Sequence, residues 1–199
     1  LMSYFDVEKK IYGLDRMANS PAFKMNLMYR LYNGLPNYKD VVRFADAQAS
    51  DYNGPGFILW RLASTFNDPY AQWLAKTINQ NKVNAGEKLD TDWRMILWYD
   101  ENVKESNVSS FPTYRLFSDT GIFTSRSAWS DNNAVMLALK AGPPNGSAWV
   151  DGNQSGHVHP DEGGFTLNGY GKNLIIDDGY TYLKLTSNHN IATFDNVGQ

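Results

Sequence analysis

An α+β chain, with helical hairpins first and an antiparallel β-sandwich portion second, is predicted from three observations. Apolar residues recur at three- and four-residue steps through roughly the first hundred positions. From Phe111 onward the pattern changes to period-two alternation. Between them, Glu101 to Ser110 is polar and carries no apolar period. The expected parts are therefore a helical segment over 1–108 and an incomplete sandwich segment over 109–199.

The helical elements follow in order. Phe5 to Met17 places its apolar and aromatic residues on one helical face. Ser20-Pro21 opens Ala22 to Tyr32, with serine as N-cap and proline in the first turn, and Gly34 and Pro36 stop it. Tyr38 to Ala49 reads as a weaker helix, closed by Asn53-Gly54-Pro55-Gly56. Phe57 to Phe66 follows, Asp68-Pro69 caps Tyr70 to Ile78, and a last helix covers Thr91 to Tyr99. Short helices between Gly/Pro turns make antiparallel hairpins, as in a bundle or part of an α/α toroid.

The strand signals are Gly121 to Trp129, Ala134 to Lys140, Phe165 to Gly169, Asn173 to Ile176 and Ile191 to Phe194, separated by Gly, Asn and Asp turns. Such strands form one sheet, and one apolar face then needs a cover. The first residue is Leu1, the opening residues do not form a signal peptide, and nothing after Gln199 completes a sheet. A fragment of a larger chain is the expectation.

Composition narrows the function. With 42% hydrophobic and 20% charged residues, the chain is of ordinary globular type. Eighteen Lys and Arg against 21 Asp and Glu give a net charge of -3, which argues against a general nucleic-acid or membrane-surface binder. The absence of Cys removes disulfides, thiol nucleophiles, iron–sulfur clusters and Cys-type zinc sites. No apolar run reaches the ~18 residues of a membrane span. Phosphate-binding glycine motifs and the serine nucleophile elbow are also missing.

The chemistry concentrates in three histidines, His157, His159 and His189. In an extended segment, residues two apart share a face, so His157 and His159 can meet one metal or one substrate. Asp161, Glu162 and Asp177 are carboxylates able to complete a mixed His/carboxylate site. Asp161 reads equally as an acceptor orienting an imidazole or as a turn residue.

The string Arg126-Ser127-Ala128-Trp129, then Gly156-His157-Val158-His159-Pro160-Asp161 with Gly163-Gly164-Phe165-Thr166-Leu167, then Gly171-Lys172-Asn173-Leu174-Ile175-Ile176-Asp177-Asp178-Gly179-Tyr180, and finally His189-Asn190 and Gly198-Gln199, resembles the heparinase II/III-like polysaccharide lyases. The match runs from Gly121 to the end; the helical part fits only loosely, as the last hairpins of the family's α/α toroid. The resemblance implies a toroid joined to an antiparallel β-sandwich, and cleavage of a uronic-acid-containing acidic polysaccharide by β-elimination. It implies His157 as the catalytic histidine from the sandwich, and His159, Asp177 and His189 as ligands of a structural zinc. It further implies a periplasmic or secreted setting. The family's other catalytic groups, mostly on the toroid, have no match in 1–108, which holds no histidine.

Substrate contacts are expected from Arg126 facing an acidic sugar, and from Trp149 and Tyr180 stacking on sugar rings. Two other classes remain open on the residues. A cupin-like metal enzyme would put His157, His159 and Glu162 on one ion, with Gly152 and Gly169 approximating the rest of that motif. A carbohydrate-binding module would use the same surface without chemistry.

Overall fold

The computed structural model describes residues 1–47, 56–89, 92–143, 146, 157–182 and 184–193. Among these, five α-helices precede one five-stranded antiparallel sheet, an α+β order. Contacts divide the chain into Leu1–Leu31 with Pro55–Val108, and Tyr32–Gly54 with Ser109–Gln199. Tyr32–Gly54, which periodicity assigns to the helical part, thus groups with the sheet.

The first unit is helical: α1 (Met2–Tyr12), most of α2 (Pro21–Asn33), α3 (Phe57–Phe66), α4 (Pro69–Asn84) and α5 (Trp93–Trp98). The α4 start follows from its sequence. Asp68 is extended, its carboxylate accepts from the N–H groups of Tyr70 and Ala71 at 2.9 and 3.1 Å, and Pro69 occupies the first turn. Leu59, Leu62 and Ala63 of α3 and Ala71, Leu74, Ala75 and Ile78 of α4 are buried at helical spacing. Asp6 of α1 takes the Arg61 guanidinium of α3 and, at 3.1 Å, the Trp98 indole N–H of α5, tying three helices by one carboxylate.

The second unit holds β1 (Tyr114–Phe117), β2 (Ile122–Arg126), β3 (Met136–Lys140), β4 (Phe165–Gly169) and β5 (Lys172–Ile175), neighbours in sequence being neighbours in the sheet. Tyr170 and Gly171 close β4 onto β5 with φ of 55° and 69°. Positive φ at both central residues is the two-residue hairpin turn that matches strand twist, and glycine takes it without a Cβ clash. On one face of β2 and β3 the side chains of Ile122, Thr124, Arg126, Met136, Ala138 and Lys140 are buried. Leu35 and Val42 close over Met136 and Ala138, with Phe44 packed against them. On the opposite face Leu116 and Leu137 stay exposed.

Two expectations are corrected. Tyr38 to Ala49 is not a helix over its described residues. Gly34 bridges Val41, the Leu35 N–H donates to the Asp40 carbonyl at 2.8 Å, and Tyr38 and Ala45 take positive φ of 52° and 54°, which no α-helix accepts. Residues 191–193 are not strand, and Phe194 lies outside the described residues. β1, in turn, is a strand the periodicity did not single out.

Candidate active site and metal centre

The site grows from three loops of the second unit. The first follows the bridge at Gly34 and carries Ala45, Asp46 and Ala47; the second, 157–164, leads into β4; the third runs from the end of β5 through Asp177 to His189. Their backbones are fastened to one another. Asp161, itself buried, accepts the Ala45 N–H at 3.1 Å on one carboxylate oxygen and holds the buried Lys140 ammonium on the other. The Tyr180 N–H donates to the Ala47 carbonyl at 3.3 Å. Gly179, at φ +64°, makes that approach possible: a Cβ there would lie 2.5 Å from the Ala47 oxygen. Asn190 donates to the carbonyls of Phe165 and Ile176, fixing the His189 end to the sheet.

Asp46 thereby reaches both histidines of the His-x-His pair. Its Oδ2 lies 2.7 Å from His157 Nδ1 and its Oδ1 2.7 Å from His159 Nε2, with the Lys184 ammonium at 3.2 Å. The two imidazoles meet on one carboxylate, yet their surroundings differ: the His157 side chain is 78% exposed and that of His159 is fully buried. Burial pushes the Asp46 carboxyl upward, and hydrogen bonds from His159, His157 and Lys184 together with the Lys184 charge outweigh it, holding the group down at about 2.

Beside this pair, His159, Asp177 and His189 offer ligand atoms all within 4.8 Å of one another, each residue buried. His189 Nδ1 lies 2.7 Å from Asp177 Oδ2, and Asp177 Oδ1 accepts the Gly179 N–H at 3.1 Å. An ionised carboxylate only accepts, so in neutral rings Asp46 selects the N–H on His159 Nε2 and Asp177 the N–H on His189 Nδ1. That leaves lone pairs on His159 Nδ1 and His189 Nε2, the two histidine nitrogens that are buried and without a hydrogen-bond partner among the described residues. Buried lone pairs with a carboxylate alongside fit a cation, and imidazole with carboxylate suits zinc among others. Glu162 and His157 are not part of this cluster, so the cupin-like set of His157, His159 and Glu162 on one ion does not form among the described residues.

Other expected site residues fall elsewhere. Arg126 does not face a sugar: it is only 3% exposed, donates to the Tyr32 and Gly34 carbonyls at 3.0 and 2.8 Å, and lies 4.1 Å over the Trp129 ring. Its charge is spent on the interior of the second unit. Tyr180 is 54% exposed at the surface, as stacking requires, and Tyr182 is more exposed still. Trp149 lies outside the described residues. Asp161 meets no imidazole among its described hydrogen bonds and serves Lys140 and Ala45 instead. Asp46 is the residue that sequence reasoning missed; a lone Asp 111 positions before His157 sits in no local motif.

No family model matches the chain. Among solved structures it is similar to the heparan sulfate lyase HepC from Pedobacter heparinus, at 23% identity over 89% of this chain and 24% of that chain, with a TM-score of 0.50. It is also similar to a heparinase III gene product with methylated lysines, at 22% identity over 86% of this chain and 23% of that one, TM-score 0.53. A further structure titled heparinase III gives 17% identity over 88% and 25%, TM-score 0.51. The likeness is one of fold, and the chain spans about a quarter of the length of these structures.

Proposed function

We infer that this chain is part of a polysaccharide lyase, in which the helical unit ends an α/α toroid and the sheet is one layer of a β-sandwich. The observation that carries this reading is His157: exposed, yet aimed by a carboxylate that also holds the buried His159 of the metal cluster. The fold likeness to heparan sulfate lyases and heparinase III supports it.

In such a reaction the C5 proton of a uronic acid is removed, the C4–O4 bond breaks, a C4=C5 double bond forms, and the leaving oxygen gains a proton. With Nδ1 turned to Asp46, His157 presents Nε2 outward, where it can face the uronate carboxylate or move a proton. Tyr180, half-exposed on the neighbouring loop, is the stacking platform. His159, Asp177 and His189 would hold a structural zinc, whose part is to pin the loops that carry His157. The remaining acid–base groups come from outside the residues matched here, and a polymeric substrate places the protein in the periplasm or outside the cell. Among the described residues, no helix is long and apolar enough to cross a membrane.

The test is incubation of the chain, and of the longer protein that contains it, with heparan sulfate, chondroitin sulfate and alginate. Ultraviolet absorbance of an unsaturated uronate supports elimination. New reducing ends without that absorbance mean hydrolysis, and binding with neither signal in the longer protein means a carbohydrate-binding module.

A further inference from the structure

We propose that Asp46 is a positioning residue that sets the ring orientation and tautomer of His157 and His159 together, coupling the exposed imidazole to the buried metal cluster through one carboxylate.

The two oxygens of Asp46 each take one ring nitrogen at 2.7 Å, Oδ2 from His157 Nδ1 and Oδ1 from His159 Nε2. Lys184 caps the same carboxylate at 3.2 Å. A carboxylate has no proton to give, so both nitrogens must be the N–H donors. Each neutral ring then has one lone pair left, and the two lone pairs have different uses. On His159 it is Nδ1, buried and without a partner among the described residues, beside Asp177 and His189. On His157 it is Nε2, on a ring that stands largely in solvent.

The carboxylate is itself held in place. The Ala45 N–H is bonded to buried Asp161 and the Ala47 carbonyl to the Tyr180 N–H, so the residues on either side of Asp46 are fastened by the loops that carry the histidines and Asp177. Rotation of one imidazole thus disturbs the acceptor of the other. Carboxylates that orient metal-binding histidines in this way commonly contribute about 10- to 100-fold in metal affinity or activity.

The catalytic consequence rests on the lyase reading, whereas the tautomers and the metal affinity do not. The experiment is long-range proton–nitrogen correlation on the nitrogen-labelled full chain, whose three histidines give a sparse spectrum. Cobalt(II) titration is followed by its visible absorption. The expected wild-type result is His157 protonated on Nδ1 and His159 on Nε2. In Asp46→Asn at least one ring changes tautomer, and cobalt affinity falls by about 10-fold or more. Either histidine in the opposite tautomer in the wild type overturns the proposal, even if the variant fails to fold. A folded Asp46→Asn chain with unchanged tautomers and cobalt affinity overturns it as well. Polysaccharide cleavage is not read in either measurement, so failure of the lyase reading and failure of this one remain separate results.

Discussion

The carboxylate of Asp161 takes the backbone N–H of Ala45 at 3.1 Å across 116 positions of sequence, while its second oxygen holds Lys140. Ala45 precedes Asp46, so an aspartate not hydrogen-bonded to an imidazole in this structure still determines where the imidazole acceptor stands. Asp161→Asn would leave the Lys140 ammonium buried without a counter-charge and loosen the Ala45 loop. The expected loss is about 3 kcal/mol of stability in urea denaturation, with weaker metal binding. Pairing it with Lys140→Met removes the orphaned charge and should recover much of the stability but not the loop. Equal stability of wild type and Asp161→Asn would contradict this account.

The cluster of His159, Asp177 and His189 sets a second expectation. Loss of one ligand from a three-residue site with His157 outside it separates the histidines by experiment. His159→Ala and His189→Ala should bring zinc measured by elemental analysis down to background and lower the melting temperature, because metal binding is linked to the folded loops. His157→Ala should keep both zinc and fold, and in the longer protein should lose elimination. Equal zinc loss from His157→Ala would favour the ion shared by His157, His159 and Glu162.

Arg126 carries a stability rather than a substrate role. Its guanidinium donates to two carbonyls and stacks on Trp129, a planar geometry that an ammonium does not reproduce. Arg126→Lys is expected to destabilise by about 2 kcal/mol while leaving the affinity of the longer protein for an acidic polysaccharide unchanged. Reduced polysaccharide affinity with wild-type stability would return Arg126 to the binding surface.

Tyr38 makes alkaline stability informative. Burial pushes its phenol up to about 12, against a smaller opposing effect from the Arg126 charge. An acid raised on folding keeps its proton in the folded state while the unfolded chain releases it. Its contribution is therefore complete below the ordinary tyrosine value of 10.0 and is lost as pH rises toward 12. On the order of 2 kcal/mol should disappear across that interval, and Tyr38→Phe should show a shallower decline in denaturant midpoint against pH. Parallel curves for the two proteins would remove Tyr38 from the explanation.

Much of the architecture is written locally. The Asp68-Pro69 start of α4, the alternation through Ile122 to Arg126 and the compact apolar run that ends at Lys140 each depend on neighbouring residues, and they are legible from spacing and turn chemistry alone. Tyr38 to Ala49 defeats the same reasoning: its apolar spacing suits a helix, but pairing of Gly34 with Val41 and burial against Met136 and Ala138 win over local preference. The site divides likewise. His157 and His159 stand out by spacing and Asp177 as one of three nearby carboxylates, whereas the grouping of His159 with Asp177 and His189 comes from the family resemblance. Asp46 has no local mark, because only tertiary packing brings its loop to theirs. Arg126 was legible as a cation near a strand end, but its burial depends on carbonyls from Tyr32 and Gly34, more than ninety positions away.

The distance in sequence between Asp46 and its partners has a kinetic meaning. His157, His159 and Lys184 lie 111, 113 and 138 residues beyond it, whereas each strand of the sheet pairs with the next. Hairpins close short loops and form early; contacts across more than a hundred residues require the ends of a long loop to meet first, at greater entropic cost. During refolding the sheet can therefore be complete while the imidazoles are still unaligned. A cation that recognises only their final arrangement would act as a latch on the last event, slowing unfolding without speeding the steps that precede it.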